Sequence, residues 1–524
     1  MNTQTKTLMY QRIFNPSTCR ILFATWLSTL SLIAPSTQAA TITVTNTNDS
    51  GAGSLRQAIA DAVSGDTIDF GVTGTITLTT GELLVDKGIT IHGPGPDQLT
   101  VDGNHASGIF YVQLDGAGAA TIAGLTITNG NANHGGGISN VSSMLTVSNC
   151  TITGNSAPDV FGVGGGISND VALSNATLEI LNCTISGNSA GDNGGGIYNY
   201  GGSMNATLKI LNSTLSGNSA HFYGGGIFNI SAYGGSAPAD VLNCTLSGNS
   251  AGRFGGGIYN NAAVDGSSPL EVLHSTFSGN SAFQGPSGGI ANFSATLQLG
   301  STILNASSIS NSSGTITSLG YNLSSDNGGG FLAATGDQIN ATPMLGPLQD
   351  NGGPTFTHAL LTGSPAIDAG DPNFDPNAFN PPMLYDQRGA GYNRIAHGRI
   401  DIGAFEIVMP SYAGQVQPPI NADGSSTFNV RRGVVPVRFN LTLDGVATCD
   451  LPPATIAVYR TGTGGNQQID EAVYSGNADT GSNFRISSCQ YVYNLNSRAL
   501  GVGTYRVDIL INGQVVGSAT FGLN

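Results

Sequence analysis

Along most of this chain apolar and small polar residues alternate in short runs that stop at Asn or Gly. Leu145-Thr-Val147 and Leu178-Glu-Ile180 are typical, with apolar positions two apart, as a half-buried strand requires. The runs recur as a block. Asn149-Cys-Thr-Ile-Thr-Gly-Asn-Ser-Ala157 returns as Asn182-Cys-Thr-Ile-Ser-Gly-Asn-Ser-Ala190, Asn212-Ser-Thr-Leu-Ser-Gly-Asn-Ser-Ala220, Asn243-Cys-Thr-Leu-Ser-Gly-Asn-Ser-Ala251 and His274-Ser-Thr-Phe-Ser-Gly-Asn-Ser-Ala282. Its glycines, Gly154, Gly187, Gly217, Gly248 and Gly279, stand 33, 30, 31 and 31 residues apart. A second block, Gly-Gly-Gly-Ile, keeps the same period at 135–138, 164–167, 194–197, 224–227 and 255–258, then degenerates to Ser287-Gly-Gly-Ile290. Short strands joined by Gly and Asn turns at this period predict one coil of a parallel β-helix per repeat. Leu, Val and Ile then point inward. Cys150, Cys183, Ser213, Cys244 and Ser275 fall at equivalent inward positions and form one core ladder of small side chains.

Two segments depart from the repeat. Ser54-Leu-Arg-Gln-Ala-Ile-Ala-Asp-Ala62 carries a capping box from Ser54 to Gln57 and places Leu55, Ala58, Ile59 and Ala62 on one helical face. Such a helix covers the open end of a first coil, as solenoids require. Thr67–Phe70, Thr75–Leu78, Leu83–Val85 and Ile89–Ile91 read as the first strands. Beyond Met409-Pro410 the repeats stop. Thr427–Val430, Val434–Leu443, Ala454–Tyr459, Tyr491–Leu495, Thr504–Ile511 and Gln514–Phe521 read as strands, with Asn512-Gly513 turning a hairpin between the last two. That pattern predicts a β-sandwich.

The segment Ser54-Leu-Arg-Gln-Ala-Ile59 resembles the opening of exported bacterial right-handed parallel β-helix proteins with a pectin-lyase-like column. The two repeat blocks resemble polymorphic outer-membrane repeats more loosely. Leu319-Gly-Tyr-Asn-Leu323, Asp350-Asn-Gly-Gly-Pro354, Gly363-Ser-Pro-Ala-Ile-Asp-Ala-Gly370, Asp386-Gln-Arg-Gly389 and Asp401-Ile-Gly-Ala-Phe-Glu406 are similar to the choice-of-anchor Q region that ends such columns. The resemblance spans about residues 41–407 and implies architecture and surface display rather than an assigned activity. Tyr412-x-Gly414, Pro418-Pro419 and Val435-Pro-Val-Arg-Phe439 resemble the small PxKF domain of exported proteins, with Arg438 where Lys is usual. The expected fold class is all-β: a right-handed parallel β-helix (solenoid) followed by a small Ig-like β-sandwich. The expected division is 1–39 signal peptide, 40–120 N-terminal cap and first coils, 121–330 repeats, 331–409 C-terminal part of the β-helix and 410–524 sandwich.

Composition sharpens this picture. Of 524 residues 76 are Gly, and charged residues make up 9%, against a typical quarter or so. Residues 41–409 carry 25 acids against 7 bases, whereas 410–524 carry 7 of each. An acidic column argues against nucleic acid or an anionic membrane as partner, because phosphate binding needs clustered Lys and Arg. Residues 1–39 read as an export signal: Lys6, Arg12 and Arg20 carry its positive charge, an apolar core runs from Ile21 to Ala34, and small residues follow at 36–40. A short membrane anchor is the alternative; no transmembrane segment is expected in the mature chain. Export makes a secreted or cell-surface location the expectation, and makes one disulfide, Cys449 to Cys489, reasonable in the sandwich.

The candidate chemistry is sparse. Cys19 lies in the signal, so five cysteines remain, an odd number that cannot pair completely. The ladder accounts for three of them as free core thiols, with a Cys150–Cys183 bridge as the alternative. The Asn-x-Ser/Thr triplets match glycosylation acceptors but also arise from stacked Asn turns, which is the expected reading. Between 121 and 330 the only charged side chains are Asp159, Asp170, Glu179, Asp192, Asp240, Asp265, Glu271, Asp326, Lys209 and Arg253. No acids stand two apart on one strand, as a polysaccharide hydrolase or lyase site would need, and no catalytic residue is assigned. Tyr198, Tyr200, Tyr223 and Tyr259 remain for sugar stacking once Trp26 leaves with the signal. His134, His221, His274 and His358 lack metal spacing. No cofactor is expected. Asp368, Asp371 and Asp375, with Asn373 and Asn377, form the best oxygen-rich cluster for Ca²⁺, although turn chemistry and ion pairs with Arg388 or Arg399 explain them equally. Rows of Thr151/Thr153, Thr184/Ser186, Thr214/Ser216, Thr245/Ser247 and Thr276/Ser278 face outward, a regular array that raises ice binding as a minor reading. The leading expectation is a structural or adhesion-type surface protein with a glycan or protein ligand, and a polysaccharide-active enzyme is the runner-up.

Overall fold

The computed structural model describes residues 39–114, 118–285, 287–408, 412–443, 445–461, 467–469, 479 and 481–524. Residues 1–38 of the expected signal, with Cys19 and Trp26, and the expected boundary at Met409-Pro410 lie outside the described residues.

A parallel β-solenoid begins at Thr41–Val44 and ends at Leu323–Ser324. Its first sheet has 11 strands, its second 10 and its third 9, and a short fourth sheet runs from Ser156–Ala157 to Ser281–Ala282. Each repeat contributes one strand to each sheet in the order first, second, fourth, third, and then climbs to the next coil. Like residues stack on like. Ile152, Ile185, Leu215, Leu246 and Phe277 are in register on the second sheet, and Ile138, Ile167, Ile197, Ile227, Ile258 and Ile290 on the third. All are fully buried or nearly so. Stacking identical apolar residues removes their area from water in every coil without a helix or a second layer.

Turn chemistry sets the corners. Asn149, Asn182, Asn212 and Asn243 adopt left-handed φ of 50–56° between first and second sheets, a conformation Asn tolerates better than most side chains. The middle glycine of each Gly-Gly-Gly-Ile block is demanded by contact: a Cβ on Gly195 would lie 2.3 Å from the Ser219 carbonyl oxygen of the next coil. High glycine content is thus the price of coils that touch backbone to backbone.

Both ends of the core are closed. The helix Leu55–Asp61 buries Leu55, Ala58 and Ile59 against the first coil, and Ser54 accepts the Gln57 amide at 3.2 Å. Only half of the expected capping box forms, because the Gln57 side chain donates to Asp61 instead. At the other end Phe331 and Leu332 pack on the same core. After Gln338, which bridges Leu323, the chain turns back and residues 343–407 lie along the outside of the second sheet as a strap.

The C-terminal unit has two five-stranded sheets, one built around Val434–Leu443 and Gln490–Asn496, the other around Ala454–Thr461, Gly503–Ile511 and Gln514–Leu523. Pairing is antiparallel except where Thr427–Phe428 joins Gln514–Leu523. Val437, Phe439, Tyr491, Tyr493, Val507, Ile509 and Phe521 form its buried core. Cys449 and Cys489 are disulfide-bonded, with Cα atoms 4.9 Å apart.

Candidate functional site

Inside the column, Cys150, Cys183 and Cys244 are buried free thiols, so no Cys150–Cys183 bridge exists. Their row does more than fill space. The amide of Cys150 donates to Cys183 Sγ at 3.4 Å, that of Cys183 to Ser213 Oγ at 3.0 Å, and that of Cys244 to Ser275 Oγ at 3.1 Å. Each side chain also donates to the carbonyl two residues back, as Cys244 does to Leu242 at 3.1 Å. The ladder is therefore polar, and Ser and Cys substitute for one another in it because both accept and donate there. Burial pushes the Cys244 thiol up to about 12, which leaves it protonated and unreactive.

Asparagine stacks more extensively than its glycosylation-like triplets suggest. The triplet row is joined by Asn243 to Asn212 at 2.8 Å and Asn182 to Asn149 at 3.3 Å. Two further rows are fully internal: Asn155, Asn188, Asn218, Asn249 and Asn280, and Asn140, Asn169, Asn199, Asn229, Asn260 and Asn292. Asn140, the first of the second row, keeps an unpartnered Oδ1 because Val112 precedes it in register.

The outward threonine rows are not an open array. Thr214, Thr245 and Thr276 are buried beneath the strap. Gln387 joins Thr245 Oγ1 at 2.6 Å, Thr214 Oγ1 at 2.8 Å and Thr355 Oγ1 at 2.9 Å, while the Ala404 amide donates to Thr276. Ser247 meets His358 Nε2 at 2.9 Å. The expected ice-binding face therefore does not extend past Thr151/Thr153 and Thr184/Ser186, since strap side chains occupy the rest.

The proposed Ca²⁺ ligands do not converge. Asp371 accepts the Asn373 amide and Asp375 the Asn377 amide, each at 2.9 Å, while Asp368 lies 3.9 Å from His397. Among the described residues no group of three His, Cys, Asp or Glu is placed to hold a metal. The alternative, ion pairs of these acids with Arg388 or Arg399, is not seen among the described residues. Arg388 pairs with Asp386 at 2.6 Å between the rings of Tyr392 and Phe405, and Arg399 donates to the Gly370 and Ala369 carbonyls.

The outer face of the third sheet is where side chains gather. Tyr198, Phe228 and Tyr259 each follow the inward Ile of a Gly-Gly-Gly-Ile block and share one register position. Tyr198 stacks on Phe228 at 5.3 Å and Phe228 on Tyr259 at 5.2 Å, both within 2° of parallel, and Phe293 continues at 5.1 Å from Tyr259. A second row from the preceding turn stacks Tyr223 on Phe254 at 6.1 Å and leans Tyr223 on Tyr259 at 4.7 Å. Tyr200 lies 6.1 Å from Tyr198. All four tyrosines singled out from sequence thus enter one aromatic band. Phe222, Phe228, Phe254 and Phe293 join it as well, and of these the repeat marks only Phe228, at the position after each block that reads Ser, Ser, Tyr, Phe, Tyr, Ala down the coils. Burial pushes the Tyr259 hydroxyl up to about 12, so it remains a neutral donor.

At one edge of the band Asp170 Oδ2 accepts from Ser168 Oγ at 2.6 Å and lies 3.4 Å from His134 Nδ1, which raises the His134 pKa. Both contacts fall on one oxygen, so the imidazole does not stand between serine and carboxylate as a nucleophile relay requires. On the first sheet Glu179, Lys209, Asp240, Glu271 and Gln298 share an outward position in consecutive coils. Lys209 lies 3.7 Å from Glu179, which leaves Asp240 directly beside Glu271. Burial raises both carboxyls, and Asp240 adds to the shift of Glu271. A search for acids two apart along a strand misses this pair because stacking makes it. Compared with known proteins, the chain matches no family model and no curated protein.

Proposed function

We propose that this is an exported adhesion-type solenoid, secreted or held at a cell surface, which binds a glycan or protein ligand on its repetitive outer face without turning it over. The aromatic band on the third sheet carries this reading. Phe228 and Tyr259 are buried at its centre, while Tyr198, Tyr200, Tyr223, Phe254 and Phe293 are partly exposed around them. Those exposed parts suit the C–H faces of sugars or apolar protein side chains, and stacking across coils holds them rigid, so little side-chain freedom is lost on binding. Export is supported by the signal-like residues 1–39 and by the Cys449–Cys489 disulfide, and no described helix is long and apolar enough to cross a membrane. The choice-of-anchor Q and PxKF likenesses agree with surface display.

A polysaccharide-active enzyme is the second reading, favoured by the adjacent Asp240 and Glu271 beside a hollow of about 170 Å³ lined by Pro238, Pro269, Leu270 and Thr296. A polysaccharide panel distinguishes the two. Retention in affinity electrophoresis without new reducing ends or unsaturated products, weakened at least severalfold by combined Tyr200→Ala and Tyr223→Ala, is expected. Product release abolished by Glu271→Gln would overturn the first reading in favour of the second.

A further inference from the structure

The groove beside the aromatic band holds a cation with no acid partner among the described residues. Gly191, His221, Gly252 and Phe283 occupy one backbone position in four consecutive coils, each amide bonding the alanine carbonyl of the coil before. Gly252 has no side chain and can take none, since a Cβ there would meet the His221 carbonyl oxygen at 1.9 Å. A gap therefore opens between His221 and Phe283, two coils apart or roughly 9–10 Å. It is an open groove of about 400 Å³ lined also by Phe222, Arg253 and Gln284. Phe283 is 90% exposed and presents its ring to solvent at the edge of this groove.

Arg253 stands at the rim. Its guanidinium lies 4.6 Å above the Phe222 ring and 5.8 Å from the Tyr223 ring, and Nη1 donates to Tyr223 Oη at 3.1 Å. Of the two cations between residues 121 and 330, Lys209 pairs with Glu179, whereas Arg253 forms no ion pair among the described residues. A chain with 32 acids and 17 bases had carboxylates to spare for it. The rings fix the planar fork while its remaining N–H groups stay unused, an arrangement suited to two-point binding of a carboxylate.

We infer that this groove binds a terminal sugar bearing a single carboxylate, stacked against Phe283 with its carboxylate on Arg253, at the end of an otherwise neutral glycan. The inference rests on the adhesion reading and names its ligand. A gap of two coil spacings, roughly 9–10 Å along the backbone, is wide enough to admit a pyranose ring. The surrounding charge sets the limit on the ligand: a net charge of −15 repels polyanions, while one carboxylate placed against one cation is tolerated.

Full-length protein is tested by biolayer interferometry against one neutral oligosaccharide core ending in a sialyl residue, a glucuronyl residue, a sulfate or nothing. The two carboxylated termini separate the possible sources of the sugar. Binding of at least one of them, tenfold or more above the sulfated and bare cores, is expected. Arg253→Ala, Arg253→Lys and Phe283→Ala are each expected to weaken it at least tenfold with an unchanged thermal midpoint. Equal binding of the bare or sulfated core, or an Arg253→Ala variant that binds normally, overturns the carboxylate assignment and leaves the adhesion reading standing. Failure of every core to bind overturns this inference, while polysaccharide retention through Tyr200 and Tyr223 remains a separate measurement.

Discussion

An amide side chain inside a solenoid has two donors and two acceptor positions to satisfy without water. In the row from Asn155 to Asn280, Asn188 meets all four. Asn188 Oδ1 accepts the Asn155 amide at 2.9 Å and Asn155 Nδ2 at 3.0 Å, while Asn188 Nδ2 donates to Asn218 Oδ1 and the Ile152 carbonyl, both at 3.0 Å. Removing one member strands its neighbours on both sides. Asn218→Ala is therefore expected to cost about 3 kcal/mol in chemical denaturation, since each buried group left unpaired costs about 1–3 kcal/mol. Asn182→Gly, at a partly exposed left-handed corner, keeps the backbone conformation and is expected to cost less than about 1 kcal/mol. Equal costs would mean that the buried row is not what holds adjacent coils in register. The repeat displayed these asparagines plainly, yet Asn suits turns as well as ladders, so only the coil geometry decides that Asn155 and Asn140 point inward.

At the scale of elements, strands and corners were legible because a period near 30 residues fixes them repeatedly. The strap was not, since its contacts join residues far apart and follow no period: Gln387 reaches Thr214 across 173 positions. What the strap buries makes it sensitive to pH. Glu406 accepts the Asp401 and Ala396 amides, and Asp401 those of Asp368 and Ile407, while Arg394 and His274 lie buried in the same cluster. Burial pushes Glu406 from 4.5 up to about 8, against the attraction of Arg394, and Asp401 from 3.8 to about 6, against the amides of Ile407 and Asp368. Both folded values are raised, so the closed strap binds protons more tightly than an opened one. The stability these two carboxyls contribute is fully present below pH 4 and is lost as pH rises through 6 and then 8, whereas His274 and His358, whose pKa values burial lowers, favour opening on the acid side. Hydrogen exchange of residues 384–407 is expected to show local opening on the order of tenfold to a hundredfold greater at pH 9 than at pH 6. Glu406→Gln lowers protection throughout but flattens the rise above pH 6. An unchanged slope in that variant would place the titrating group elsewhere.

Over the whole molecule, the acid excess belongs to the column, and the charge-balanced tail is a different kind of core. The two principal cores share no residue: one runs from Val44 to Leu332 through stacked Ile, Leu and Val, the other from Ile420 to Leu523 around Tyr491, Tyr493 and Phe439. The column is held by contacts between neighbouring coils and contains buried, unpaired thiols, whereas the sandwich is closed by Cys449–Cys489 across 40 residues of chain. A reductant therefore has something to break in only one of them. Calorimetry is expected to resolve two transitions. Reduction, or Cys449→Ser with Cys489→Ser, is expected to destabilise the sandwich by about 2–4 kcal/mol and to lower its midpoint by roughly 10–20 °C, leaving the column transition where it was. The column's cysteines give it no reason to move, because they are free thiols with no bond for a reductant to break. A shift of both transitions together would show that the sandwich stabilises the column through contacts outside either core, and would remove the case for two independently folding units.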